Sequence, residues 1–172
     1  MITFSKISDT NRFVLQQKAE NKTIGFVPTM GALHRGHLEL MRQAKQENDL
    51  LIVSIFVNPI QFTNKTDLEK YPRDINKDKE LLDSIGCDVL FAPSAEEMYP
   101  EKVTKVCNFG SLESVMEGVS RPGHFNGVAV VVSKLFDITK PHKAYFGEKD
   151  FQQMAVIKKL VEIEYAKMMA WQ

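Results

Sequence analysis

Thr23-Ile24-Gly25-Phe26-Val27-Pro28-Thr29-Met30-Gly31-Ala32-Leu33-His34-Arg35-Gly36-His37 decides the fold of this 172-residue chain. Its first five residues are apolar or β-branched and predict a buried strand. After it, Leu33, His37, Leu40, Met41 and Ala44 recur at helical spacing and predict an amphipathic helix with those side chains on one face. A second apolar run, Leu50 to Val57, follows as the next strand of a parallel βαβ unit. The fold class is therefore α/β, and Met30–His37 occupies the turn where open parallel sheets bind ligands.

The physics of that turn favours an anion. The first amides of a helix lack partners within it, and the helix dipole is positive there. His34 and His37 are three residues apart, so both imidazoles can project to one side of the opening turn. Gly31 and Gly36 let backbone approach a nucleotide closely. Two histidine donors would stabilise charge growing during attack at phosphorus; the alternative is a pair of surface histidines. No Gly-Lys-Ser/Thr follows the glycines, so the turn is not a Walker loop.

Composition narrows the class. Twenty-two basic and 22 acidic residues cancel, leaving no electrostatic footprint for nucleic acid or an anionic membrane. The longest apolar run is too short to span a bilayer, and the N-terminus carries no signal-peptide pattern. Cys87 and Cys107 show neither metal nor disulfide spacing. One cytoplasmic domain is the expectation.

Along the chain, Ser8 or Asp9 is expected to cap a helix reaching about Glu20. Asn58-Pro59-Ile60-Gln61-Phe62 forms a second loop on the same sheet edge as the first. Its Asn58 and Gln61 amides suit a hydroxyl or carboxylate, and plain turn chemistry is the alternative. A short helical turn falls within 63–74, a helix over 74–84 stopped by Gly86, and a strand over 88–92. Ser94 and Glu97 read as a capping box. A strand is expected within 103–109 and a short helix within 111–117. Residues 118–127, with three glycines, Arg121 and His124, read as a loop, either solvated or closing over a phosphate. Val128, Val131, Val132, Leu135 and Phe136 keep helical spacing and predict a buried helix. A short strand at 143–146 then leads to Gly147-Glu148-Lys149-Asp150 and a helix over 151–161. Lys149 suits a phosphate; Asp150 suits ribose hydroxyls or a helix cap. Gln153 falls one helical turn beyond.

Thr-Met-Gly-Ala-Leu-His-Arg-Gly-His, Asn-Pro-Ile-Gln-Phe, Tyr-Pro-Arg-Asp, Arg-Pro-Gly-His-Phe and Gly-Glu-Lys-Asp-Phe-Gln-Gln occur in that order. With them, the chain closely resembles the pantoate–β-alanine ligase family from about residue 2 to Val161. The resemblance implies a Rossmann-like, nucleotidylyltransferase-type sheet with helices on both faces. It implies an ATP-dependent reaction through pantoyl adenylate, with ATP and Mg²⁺, and a homodimer. It assigns ATP to Met30, Gly31, Ala32, Leu33, His34, Arg35, Gly36 and His37 and to Gly147, Glu148, Lys149 and Asp150. His37 and His34 are the catalytic histidines of that assignment. Gln61 would meet pantoate and β-alanine, and Gln153 pantoate; no protein ligand for Mg²⁺ is assigned. Residues 1–161 would form the ATP/pantoate domain. Residues 162–172 match nothing recognised in the family, and a Met-Ser-Ser-Arg clamp and C-terminal lid are absent from the sequence. Little or no ligase turnover by this chain alone is therefore expected. Another His-x-Gly-His nucleotidylyltransferase with a phosphorylated acceptor, or a non-catalytic nucleotide-binding fragment, are the competing readings.

Overall fold

A computed structural model describes residues 1–62, 64–104, 107, 109–110, 123–147 and 151–165, with Phe151 and Tyr165 in their backbone alone. Glu148, Lys149, Asp150 and Arg121 lie outside the described residues, as do the helix expected within 111–117 and residues 166–172. The strands are β1 (Ile2–Phe4), β2 (Ile24–Thr29), β3 (Leu50–Ile55), β4 (Val89–Phe91) and β5 (Lys143–Ala144). The helices are α1 (Ile7–Ala19), α2 (Arg35–Glu47), α3 (Lys65–Lys70), α4 (Ile75–Ser84), α5 (Ala95–Met98), α6 (His124–Thr139) and α7 (Phe151–Leu160).

The five strands form one sheet in the order β1-β4-β3-β2-β5, and every pair is parallel. The β2–β3 pairing runs from Ile24 opposite Leu50 to Thr29 opposite Ile55, so the predicted βαβ unit is present. Strand side chains alternate between faces. Ile24, Phe26, Ile52 and Phe91 pack on one side with Val14 of α1, most of α6 and Val156 and Leu160 of α7. Val27, Leu51, Val53 and Leu90 pack on the other with Met41 and Ala44 of α2 and Leu82 of α4. Because β2 has β3 on one side and β5 on the other, the chain changes direction at β2. A crevice at the carboxyl ends of β2 and β5 is the position such sheets use for ligands.

Several expectations need correction. The α1 cap position is Lys6, without a side-chain cap, rather than Ser8 or Asp9. The Glu97 carboxylate instead accepts from the Ile7 amide at 2.8 Å and from Lys6 Nζ at 2.9 Å. Glu97 is thereby drawn away from the reciprocal half of the capping box, of which the Ser94 hydroxyl's bond from the Glu97 amide remains. Residues 124–127 are not loop: α6 begins at His124, which is buried, with Gly123 as its N-cap. Residues 103, 104, 107 and 109 carry no strand. Within α2, Met41 and Ala44 are buried, whereas His37 and Leu40 are half-buried and Leu33 is buried just ahead of the helix. Among the described residues, no helix is long and apolar enough to cross a membrane.

Glu47, at the end of α2, ties that helix to β5. Its carboxylate accepts from Gln43 Nε2, Lys143 Nζ and the Tyr145 hydroxyl, and these bonds hold it down at about 2, from an ordinary 4.5. A depressed folded-state carboxylate stabilises above its unfolded value and loses that contribution as pH falls toward the folded one. Glu47→Gln is therefore expected to lower the melting temperature at pH 7 and to match the parent protein near pH 2, the gap closing below about 4.5. Melting curves across that range check it.

Candidate functional site

Strand β2 ends at Thr29, and the chain then takes a tight left-handed path, with φ +83° at Gly31 and +51° at Ala32. A left-handed alanine costs of order 1 kcal/mol, so the surroundings must hold it. The Thr29 hydroxyl accepts from the Gly31 amide and donates to the Ser54 carbonyl. Asp78, reaching across from α4, accepts from the Ala32 amide at 3.0 Å and the Leu33 amide at 2.8 Å. A methyl group on Gly31 would stand 2.8 Å from Asp78 Oδ2, so the close approach requires glycine there.

His34 is the N-cap of α2 and forms a reciprocal pair with His37. Its Nδ1 accepts from the Gly36 amide at 3.1 Å, while His37 Nδ1 accepts from the His34 amide at 3.4 Å. The ring centroids are 4.0 Å apart at an interplanar angle of 33°. A ring nitrogen that accepts an N–H bears no proton, so each neutral imidazole carries its proton on Nε2. His34 is exposed and His37 half-buried. Helix-end amides were the anion donors expected from the sequence. Here the amides of Ala32, Leu33, His34 and Gly36 donate within the protein, which shifts the donor role toward the imidazoles.

Gln61 sits in a 3-10 turn, Pro59–Gln61, and is buried with Asn58. Asn58 Nδ2 donates to Gln61 Oε1 at 3.0 Å and to the Gly127 carbonyl at 3.1 Å, and the Tyr99 hydroxyl donates to Asn58 Oδ1 at 2.9 Å. With its oxygen engaged, Gln61 presents its NH₂ toward Met30, 3.0 Å from the thioether sulfur. Sulfur is a weak acceptor, so this donor has more to gain from an oxygen-bearing ligand. His124 Nδ1 lies 3.0 Å from the Gln61 carbonyl and donates to it. Burial pushes the Tyr99 hydroxyl up, keeping it a donor.

The structure thus brings His34 to His37, and Gln61 to Met30. Gly147 lies beyond β5, and a methyl placed on it would be 3.9 Å from Leu40 of α2, so the loop after β5 flanks the histidine helix. Arg35 and Gly36 are exposed on the first turn of α2. Gln153 is half-buried on the first turn of α7, which packs on α6 and thus reaches the Gln61 turn indirectly. A cavity of about 490 Å³ opens along the same carboxyl edge, lined by Met30, Gly31, Pro59, Arg73, Asp78 and Glu96 among others. Burial pushes the Cys87 thiol up to about 12, so it supplies no thiolate nucleophile.

Sequence reasoning missed Asp78, Tyr99 and the fixing role of His124. Asp78 carried a readable signal: it stands four residues before Leu82, in the buried stripe of α4 where an apolar side chain belongs.

The family model described as "Pantoate-beta-alanine ligase" matches residues 2–169. A pantothenate synthetase of Porphyromonas gingivalis is 55% identical over 163 residues, covering 95% of this chain and 58% of that protein. One from Bacteroides fragilis is 56% identical over 144 residues, covering 84% of this chain and 51% of that protein. A crystal structure of the pantoate-β-alanine ligase of Francisella tularensis, complexed with β-γ ATP and β-alanine, superposes with a TM-score of 0.92 at 45% identity. It covers 96% of this chain and 63% of that one. The pantothenate synthetase of Thermus thermophilus gives 0.88 at 47% identity, covering 95% and 58%. The all-parallel sheet with its His-x-Gly-His turn is thus a nucleotidylyltransferase-like α/β arrangement. Within that class, the chain belongs to the pantoate–β-alanine ligase family. It spans a little over half the length of the curated relatives it matches.

The contact between α6 and the Gln61 turn gives a test. A methyl on Gly127 would stand 2.7 Å from Gln61 Cα and from the Ile60 carbonyl oxygen, both backbone atoms that cannot swing aside. Gly127→Ala is expected to destabilise the fold by about 1–3 kcal/mol, the usual range for overpacking. Denaturant unfolding measures this, and a loss below a few tenths would contradict the packing.

Proposed function

We propose that this chain forms the nucleotide- and acid-binding part of an ATP-dependent pantoate–β-alanine ligase. The observation that carries the proposal is the reciprocal His34–His37 cap at the carboxyl edge of β2, which engages both Nδ1 atoms as acceptors and so places the ring protons on Nε2. In this reading, ATP lies along Met30–His37 and the loop that Gly147 opens, and Glu148, Lys149 and Asp150 contribute by family assignment. The pantoate carboxylate attacks the α-phosphorus of ATP, forming pantoyl adenylate and releasing pyrophosphate. The β-alanine amine then attacks the acyl carbon and AMP departs, leaving pantothenate. His37, with His34 beside it, donates to phosphoryl oxygens as charge accumulates, the preorganised type of stabilisation that costs no reorganisation during reaction. Gln61 and Gln153 orient pantoate, Gln61 also meeting β-alanine, so much of the rate comes from positioning.

Mg²⁺ would accompany the nucleotide. Among the described residues, no group of three His, Cys, Asp or Glu side chains is placed to hold a metal. The ion is proposed as a companion of the nucleotide, where it would screen phosphate charge, with no protein ligand assigned. A homodimer and a cytoplasmic location belong to the same proposal and are supported by family membership alone.

The test is adenylation measured as pyrophosphate exchange into ATP, with protein in excess so that slow turnover registers. Exchange is expected with pantoate present and not with a phosphorylated acceptor, and His37→Ala is expected to slow it roughly 100-fold or more. Exchange supported only by a phosphorylated acceptor would point to another nucleotidylyltransferase. ATP binding without exchange would point to a non-catalytic module, and near-normal exchange by His37→Ala would remove the histidine from its role.

A further inference from the structure

We infer that Asp78 is a positioning residue for the two histidines, acting through the backbone that leads into α2. The inference extends the proposed function, since it is the histidines of that site that Asp78 would set. Asp78 is 3% exposed, and its two oxygens accept from consecutive amides, Ala32 at 3.0 Å and Leu33 at 2.8 Å. A carboxylate only accepts, so this fork fits two N–H groups turned to the same side. The left-handed pair Gly31 and Ala32 provides that turn. Ala32 is itself exposed, so apolar burial of its side chain cannot be what holds the strained conformation.

The consequence reaches the imidazoles in one step. Leu33 is pinned by Asp78, and the next residue, His34, stands extended at φ −140° as the N-cap, with its amide directed to His37 Nδ1. That 3.4 Å bond is the long one of the pair and the one most sensitive to where the backbone of residues 32–34 lies. Without the carboxylate, the two amides relax toward water, the His34 amide swings, and His37 loses the acceptor duty that keeps its proton on Nε2. Position 78 thus sets which ring nitrogen faces a phosphate, without touching the phosphate itself.

Asp78→Asn preserves shape but turns an NH₂ on one of the two amides. The primary readout is the ring-nitrogen NMR spectrum of His34 and His37, which distinguishes an acceptor Nδ1 from a protonated one and requires no activity. The parent protein is expected to show both rings as the Nε2–H form and Asp78→Asn a mixture of forms. Leu81→Ala, a half-buried truncation on the same helix, is expected to leave the rings as in the parent. Unchanged rings in Asp78→Asn, or the same mixture in Leu81→Ala, would overturn the inference. Should Asp78→Asn fail to fold, hydrogen exchange of the parent protein decides: the Ala32 and Leu33 amides are expected to exchange roughly tenfold or more slowly than open amides, as bonds to a charged acceptor imply. Solvent-rate exchange would overturn the inference. Binding of a non-hydrolysable ATP analogue is read separately, with roughly tenfold weakening expected in Asp78→Asn. Mixed rings in Asp78→Asn combined with no nucleotide binding by the parent would leave the brace standing and refute the functional reading.

Discussion

Everything at this site follows from one exchange of hydrogen bonds at the head of α2. His34 takes the Gly36 amide and His37 takes the His34 amide, so two imidazoles do what a serine and a glutamate do in an ordinary capping box. The substitution has a chemical consequence that a serine cap would lack. A hydroxyl caps and donates through the same oxygen, whereas an imidazole caps with one nitrogen and carries its proton on a second, separate nitrogen. Helix initiation and donor placement become the same structural event. The sheet then supplies the location, because β2 is the strand at which the chain changes direction, and the carboxyl edge at such a point is where sheets of this kind bind ligands.

The remainder of the edge is built to hold that arrangement from outside. Asp78 fixes the turn from the α4 side, and the Tyr99–Asn58–Gln61 chain of hydrogen bonds fixes the amide facing Met30. Gly127 allows α6 to press its backbone against the same turn. Each of these groups is buried or half-buried and bonded, as polar groups in a low-dielectric interior must be. None belongs to the Met30–His37 peptide, yet together they decide where its side chains can point.

How much of this could be read from the sequence depends on the range of each interaction. The βαβ unit, the buried α6 and the histidine turn rest on periodicities of two and 3.6 residues, and those were legible. Gly127, within α6, was misread as loop punctuation, because it serves close packing against Ile60 and Gln61 rather than a turn. The three-residue β1 is too short to carry a period. The cap of α1 comes from Glu97, 90 residues away, and no local pattern announces such a partner. Of the site, the pairing of His34 with His37 followed from their spacing. That their Nδ1 atoms face inward did not, because it depends on backbone held by Asp78 from another helix.

The central proposal is that nucleotide phosphates meet the Nε2 atoms of His34 and His37 at the end of β2. A crystal structure of the chain with a non-hydrolysable ATP analogue and pantoate tests this most directly. The account predicts phosphate oxygens within hydrogen-bond distance of both Nε2 atoms, with Nδ1 still bound to the Gly36 and His34 amides. Phosphates lodged instead in the cavity beside Arg73, or imidazoles turned so that Nδ1 meets the ligand, would contradict it.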